Sequence, residues 1–289
     1  MRILMVHGRS QGGRKVAELE TIWRETLQEG FANARKDWPA KVSIDFPFYG
    51  DTLDELVAQA SLPTPADVVA KGPGQNTRFE EFMESALNEM KARASIEDEA
   101  VRVNQEPGPP TEEKGIQNWR WIQAIARTID ERVTRTSSFA IEKLLRDVFL
   151  YVTRPAVTRQ VDALVEARLT AEPTIVIAHS LGSVVAYNIV RRRKDLDLRR
   201  FITVGSPLGL RAISSKLGIP ENPAAAAGWY NAYDKRDIVA LNPLDDAHFP
   251  VEPAIVNSDS VDNSADNRHG IIGYLDDKGV AAQVAEALA

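Results

Sequence analysis

The chain of 289 residues contains no cysteine. That absence excludes disulfides, zinc–thiolate and iron–sulfur centres, and a cysteine nucleophile. It fits a reducing compartment, although a cysteine-free chain is equally compatible with an oxidising one. Long apolar runs are missing too: no stretch approaches the roughly 18 residues that a membrane-spanning helix needs. The N-terminal run is only Ile3-Leu4-Met5-Val6, short of the about 7–15 apolar residues at the heart of a secretory signal. A soluble cytoplasmic protein is the expectation. Positive charge is not in excess, 35 Lys and Arg standing against 41 Asp and Glu for a formal net charge of −6. With no overall basic field, nucleic acid is not expected as a partner. Histidine is scarce, at four residues, which shortens any search for a general base.

What is present is a globular composition, 44% hydrophobic and 26% charged, enough for a sizeable core. Ile3 to Val6 reads as a buried strand ending in a Gly-containing loop. Leu19, Ile22, Trp23 and Leu27 recur at helical spacing, and Val42, Ile44, Phe46 and Phe48 alternate as a second strand. Strand, helix, strand predicts a parallel βαβ unit. The second half repeats this grammar. A helix runs through Val157, Val161, Leu164, Val165 and Leu169, and a strand over Thr174 to Ala178. A buried helix covers Val184 to Val190, with strands at Phe201 to Val204 and Trp229 to Tyr233. A last strand falls within 251–261, and a closing helix runs through Val280, Val284 and Leu288. The predicted fold class is α/β, a mainly parallel central sheet with helices on both faces.

Residues 60–155 do not fit the alternation. Pro63, Pro65, Gly72, Pro73 and Gly74 interrupt the chain. A helical stretch from Phe79 to Met90, an acidic patch at 97–99 and the turn Pro107-Gly108-Pro109-Pro110 follow. Two apolar stripes at helical spacing come next, Ile116, Trp119, Ile122, Ile125 and Ile129, then Ile141, Leu144, Leu145, Val148, Phe149 and Val152. The organisation predicted is a core of residues 1–59 and 156–289 with a helical insertion at 60–155, placed over the sheet edge.

The chemistry concentrates in Ile175-Val176-Ile177-Ala178-His179-Ser180-Leu181-Gly182-Ser183, a strand, a sharp turn with serine at its apex, and a helix. A nucleophile elbow has this form. The strained turn lifts the serine oxygen off the sheet, and small residues two before and two after it, here Ala178 and Gly182, avoid a clash. A blander role for Ser180 is to cap the helix that follows. A serine needs a base, and the base needs a third group to orient it. His7 lies in the loop after the first strand, and the elbow should turn His179 away from the reacting face. Of the remaining two, His269 follows the predicted last strand and is preferred to His248. The acid is sought just past Trp229 to Tyr233, where Asp234 and Asp237 qualify and Asp245 and Asp246 lie further on. Asp237 is preferred because Ile238-Val239 can pack beneath its loop, leaving Asp234 to cap the turn. An oxyanion hole would draw one amide from Leu181 and another from the loop His7-Gly8-Arg9-Ser10-Gln11-Gly12-Gly13. That loop is not a phosphate cradle: Arg14-Lys15 follow where Lys-Ser or Lys-Thr belongs.

With these residues the chain resembles an α/β-hydrolase of the lipase and esterase type. The likeness rests on Val6-His7-Gly8, Ala178-His179-Ser180-Leu181-Gly182, Gly205-Ser206-Pro207-Leu208, Tyr230-Asn231-Ala232-Tyr233-Asp234 with Asp237-Ile238-Val239, and His269-Gly270. The usual elbow has Gly where Ala178 stands, an Ala-x-Ser-x-Gly form that some lipases share. The resemblance implies Ser180 as nucleophile, Asp237 as acid and His269 as base. It also implies the amides of Arg9 and Leu181 as oxyanion hole, a helical cap or lid at 60–155, and no metal or organic cofactor. The activity it implies is hydrolysis of carboxylic esters, lipid esters included, which leaves room for transient membrane contact. Two other readings stand beside it: a membrane-acting phospholipase or lipase effector, and a ligand-binding protein that keeps the fold without turnover. No protein partner is indicated. Arg191-Arg192-Arg193-Lys194 with Arg199-Arg200 reads as a solvated helix C-terminus ahead of an anion-binding patch. Trp119 and Trp121 cannot share a helix face, so one is expected to be exposed or to line a cleft, with plain packing against the main domain standing beside a substrate-binding lid as the reading of that residue.

Overall fold

The computed structural model describes residues 1–9, 11–60, 77–107, 114–133, 140–264 and 267–289. Ser10, the chain breaks at 63–74 and the turn residues 108–110 lie outside them. The architecture is α/β, with a six-stranded, all-parallel sheet flanked by helices and ordered β2-β1-β3-β4-β5-β6. Its strands are β1 (Arg2–Val6), β2 (Ser43–Asp45), β3 (Thr174–His179), β4 (Leu198–Val204), β5 (Trp229–Ala232) and β6 (Val256–Ser258). Parallel neighbours need crossover connections, and helices covering both faces account for the unbroken apolar runs of β1 and β3. Successive side chains take opposite faces. Ile3, Met5, Ile175 and Ile177 enter one apolar core, while Leu4, Val6, Val176 and Ala178 enter the other.

Helix α1 (Val16–Asn33) covers the first of these faces together with α10 (Ile272–Leu275) and α11 (Lys278–Leu288). The buried stripe of α1 is Leu19, Trp23, Thr26, Leu27, Gly30 and Phe31. Ile22 falls at the margin of it and is 37% exposed, because the 3.6-residue period that centres positions 19, 23 and 26–27 on the core leaves position 22 at its flank. The opposite face carries α2 (Gly50–Gln59), α7 (Pro155–Glu166) and α8 (Leu181–Arg192). Proline at its first position, where no intrahelical N–H is needed, starts α7.

Both edge strands are shorter than their apolar patterns suggest. β2 pairs with β1 only over Ser43–Asp45, and Pro47, with no N–H to donate, stands just beyond it. β6 keeps three residues of the 251–261 stretch, Val256–Ser258, since Pro253 bars a ladder to its N-terminal side.

The insertion contributes α3 (Thr77–Arg93), α4 (Asp98–Val103), α5 (Lys114–Val133) and α6 (Ala140–Thr153). The acidic patch becomes the first turn of α4, where Asp98 and Glu99 meet the positive end of the helix dipole. These helices do not sit over a sheet edge. α6 packs on α2, α7 and α8, and α3 on α5, α6 and the short α9 (Arg211–Ser214). Their apolar faces merge with the core on that side of the sheet. The reason is α6 itself: Leu145, Val148 and Leu150 are fully buried, an apolar surface that only another packed layer can cover. Neither tryptophan is exposed, Trp119 being 3% accessible and Trp121 partly buried against the same core.

The cations at the end of α8 are neutralised locally. Arg192 pairs with Asp162 and Glu166, Arg193 with Asp195, Lys194 with Glu221, Arg199 with Asp197 and Arg200 with Glu286. Arg191 donates to the Leu217 carbonyl and lies over the Tyr187 ring. Among the described residues, no helix is long and apolar enough to cross a membrane.

Candidate active site

The strand order places the site. From β1 the chain runs outward to β2 by way of α1 on one face, whereas β3 leads into α8 on the other. The adjacent carboxyl ends of β1 and β3 form a topological switch point, where the connections leave a crevice. The loops that carry Gly8 and Ser180 both open there.

Ser180 sits between β3 and α8 with φ 54° and ψ −129°. This is a backbone conformation that non-glycine residues avoid, at a cost of roughly 1–3 kcal/mol. It stands at the N-cap, yet its side chain makes no capping hydrogen bond. The oxygen turns instead to His269, whose Nε2 lies 2.7 Å from Ser180 Oγ. Close packing requires the neighbouring glycines. A Cβ on Gly182 would fall 2.3 Å from the His7 carbonyl oxygen, and one on Gly8 would fall 2.8 Å from Ser180 Cβ.

On its other side, His269 Nδ1 lies 2.6 Å from Asp237 Oδ2. A carboxylate only accepts, so Nδ1 carries the proton and Nε2 keeps its lone pair for the serine hydroxyl. Asp237 is fully buried and accepts twice more, from the Val239 amide at 3.0 Å and from the Tyr274 hydroxyl at 2.6 Å. Burial, reinforced by the Asp237 charge, pushes the Tyr274 phenol well above its ordinary pKa, so it remains a donor.

The competing residues are engaged elsewhere. Asp234 accepts from the Arg236 and Asn263 amides, both at 2.8 Å. His248 Nδ1 lies 2.7 Å from Asp245 Oδ1, three residues away, and Asp246 is exposed. The loop bearing His269 is pinned at three successive carbonyls. Asn263 Nδ2 donates to those of Arg268 and Gly270, at 3.2 and 2.6 Å. His179 Nε2 donates to that of His269 at 3.0 Å. Burial, then the nearby His269, pulls the His179 imidazole well below its ordinary value. Tyr274 and Asn263 are the residues that sequence reasoning passes over. No short-range pattern marks them, because each acts on a partner brought close only by the fold.

The first loop is held with similar care. His7 Nδ1 donates to the Gly8 carbonyl at 2.6 Å, and its Nε2 accepts from the Tyr49 amide at 3.1 Å. The Tyr49 hydroxyl in turn donates to the His7 carbonyl, and the two rings stack at 4.1 Å. Among the described residues, the amides of Arg9 and Leu181 donate to no protein acceptor. Beside His269 and Asp237 lies a cavity of about 680 Å³, walled by Ile141 and Leu144 of α6, Ile238, Val239 and Trp23. No group of three or more His, Asp or Glu side chains able to hold a metal occurs among the described residues.

Burial pulls the His7 imidazole down to about 4, against the weaker opposing effect of its bond to Gly8. In an unfolded chain the group takes its proton near about 6.5. The unfolded state therefore binds more protons between these values. The stability that neutral His7 contributes is full above about pH 6.5 and is lost as pH falls toward 4. His7 alone is expected to remove about 2 kcal/mol between pH 7 and pH 5. Urea unfolding of the wild type and His7→Asn at both pH values reads this as the part of the acid destabilisation that the variant loses. An equal pH dependence in the two proteins contradicts it.

Compared with known proteins, the chain matches no family model, no curated protein and no solved structure. The class is therefore defined by the site itself: a parallel α/β protein with a serine, a histidine and an aspartate in one hydrogen-bonded line at the switch point of its sheet.

Proposed function

We propose that this chain is a serine hydrolase of the α/β-hydrolase fold, cleaving carboxylic esters, lipid esters included, through an acyl-enzyme on Ser180. Residues 60–155 act as its helical cap. The observation that carries the reading is the line from Ser180 Oγ through His269 to Asp237, with contacts of 2.7 and 2.6 Å, built on an elbow whose serine forgoes helix capping.

In this chemistry Ser180 Oγ attacks the acyl carbonyl as His269 Nε2 takes its proton. The proton passes from Nε2 to the departing alcohol, leaving the acyl group on Ser180. Water then attacks the acyl-enzyme with His269 again as base, releasing the acid and restoring the hydroxyl. Asp237 holds the imidazole in the tautomer that can accept from serine and stabilises its charged form. The amides of Arg9 and Leu181 receive the negative oxygen of each tetrahedral intermediate, a contribution of about 3 kcal/mol per donor in comparable sites. The apolar wall of Ile141, Leu144, Ile238 and Val239 suits a hydrocarbon acyl chain. The reaction needs no metal or organic cofactor.

The test is labelling by a fluorophosphonate, located by peptide mass spectrometry, in the wild type and in Ser180→Ala. Label on Ser180 that vanishes in the variant is expected. Label that appears only with detergent would point to a cap that must move first. A folded protein silent in both conditions would assign the cavity to ligand binding without turnover.

A further inference from the structure

Resting on the hydrolase reading, we infer that Asp147 of the inserted helix α6 is a positioning residue for the reaction, holding the oxyanion-hole loop in place through Arg9. The two side chains meet at 2.7 Å, Arg9 Nε to Asp147 Oδ2. The contact is largely shielded, the side chains being 18% and 4% exposed.

Three features set this pair apart from an ordinary surface ion pair. First, Arg9 supplies a main-chain donor of the proposed oxyanion hole, so a force on its side chain acts on the residue whose amide must be aimed. Second, among the described residues the other anchors that reach the loop from a distant element come from one place, the start of α2. Tyr49 grips His7 through its amide and its hydroxyl, and Asp51 accepts from the Gly13 amide at 2.7 Å. Arg9 lies between those anchors. Apart from the bond its own carbonyl receives from Gln11 at 3.1 Å, its tether comes from a different layer of the molecule. Third, Ile141 and Leu144 on the same helix wall the cavity. The helix that shapes the acyl side of the site thus also restrains the donor loop. Burial pushes the Asp147 carboxyl up, and the Arg9 guanidinium opposes that shift. Removing Arg9 thus leaves the buried Asp147 carboxylate without its hydrogen-bonded cation.

An ion pair that merely stabilises the fold would behave differently from one that aims a donor. A donor that strengthens its bond only in the transition state affects kcat, whereas loss of ground-state binding affects KM. Asp147→Asn keeps the volume and one acceptor while removing the charge. It is expected to slow fluorophosphonate labelling of Ser180 and to lower kcat on a short p-nitrophenyl ester by about 10-fold, with KM changed less than about 2-fold. Arg9→Ala keeps the main-chain amide and should lose about as much. The double variant should lose no more than either single one, because the two residues act through one contact. Asp98→Asn, which removes an exposed carboxylate paired with Lys91 on the same insertion, serves as the control and should match the wild type.

A lowered melting temperature with unchanged kcat and labelling rate in Asp147→Asn would reduce the pair to a structural role and overturn the inference. Additive losses in the double variant would overturn it as well. If wild-type Ser180 takes no label, the hydrolase reading falls and the positioning role falls with it. If the wild type labels and Asp147→Asn labels equally fast, only the positioning role falls.

Discussion

Ser180→Ala is expected to lose ester hydrolysis by about 10⁴-fold or more while folding normally, and His269→Ala to lose about as much. The serine oxygen has one hydrogen-bond partner among the described residues, His269 Nε2. Deleting it therefore removes one contact, worth about 1 kcal/mol of stability, and leaves the packing of the elbow intact. The two losses should not add, since nucleophile and base work as a unit. His248→Ala, which breaks only the pair with Asp245, should turn over like the wild type. Steady-state rates on a p-nitrophenyl ester, beside circular dichroism and thermal melts, make the comparison. An active His269→Ala beside an inactive His248→Ala would overturn the assignment of the base.

The second large effect separates two aspartates only three positions apart. In Asp237→Asn the side-chain oxygen is retained by the Val239 amide, which donates to Oδ1. The amide NH₂ then replaces Oδ2, facing His269 Nδ1 and the Tyr274 hydroxyl. A donor opposite Nδ1 forces the imidazole proton onto Nε2, and Ser180 loses its proton acceptor. A fall in kcat of about 10⁴-fold follows, as in other triads whose tautomer is inverted this way. Asp234→Asn meets a different environment. There, both oxygens accept main-chain N–H groups, from Arg236 and from Asn263, so an NH₂ group in either position opposes a donor that the carboxylate had satisfied. The expected cost is stability, about 1–3 kcal/mol, with kcat of the folded protein within a few-fold of wild type. Urea unfolding and steady-state kinetics on the same preparations read both quantities. A catalytic collapse in Asp234→Asn with normal turnover in Asp237→Asn would exchange their roles.

Much of the architecture was legible locally. The alternation and apolar runs of β1, β3, β4 and β5 carry their own periodicity, and the strand–serine–helix pattern at 175–190 is contiguous in the chain. Legibility failed where a competing local rule or a distant partner intervened. Pro47 and Pro253 shortened the edge strands that their apolar neighbours suggested. Ile22 has the right residue type for the core but lies at the flank of its helix's buried stripe. The stripes of α5 and α6 announced two amphipathic helices without saying what they would cover, because periodicity describes a face and not its partner.

The same division runs through the candidate site. By itself, the sequence determined the α/β class, the place of Ser180 between a strand and a helix, and a short set of histidines and aspartates beyond the later strands. Each of these depends on spacing along the chain, a quantity that sequence carries directly. Only the tertiary structure decided that Asp237 faces His269 while Asp234 closes a turn. It alone joined Tyr274 to Asp237, Asn263 and His179 to the histidine loop, and Asp147 to Arg9 across 138 residues of chain. Those pairings depend on side-chain direction and on the docking of whole layers. Both are set by packing among residues remote in sequence, and no local pattern encodes them.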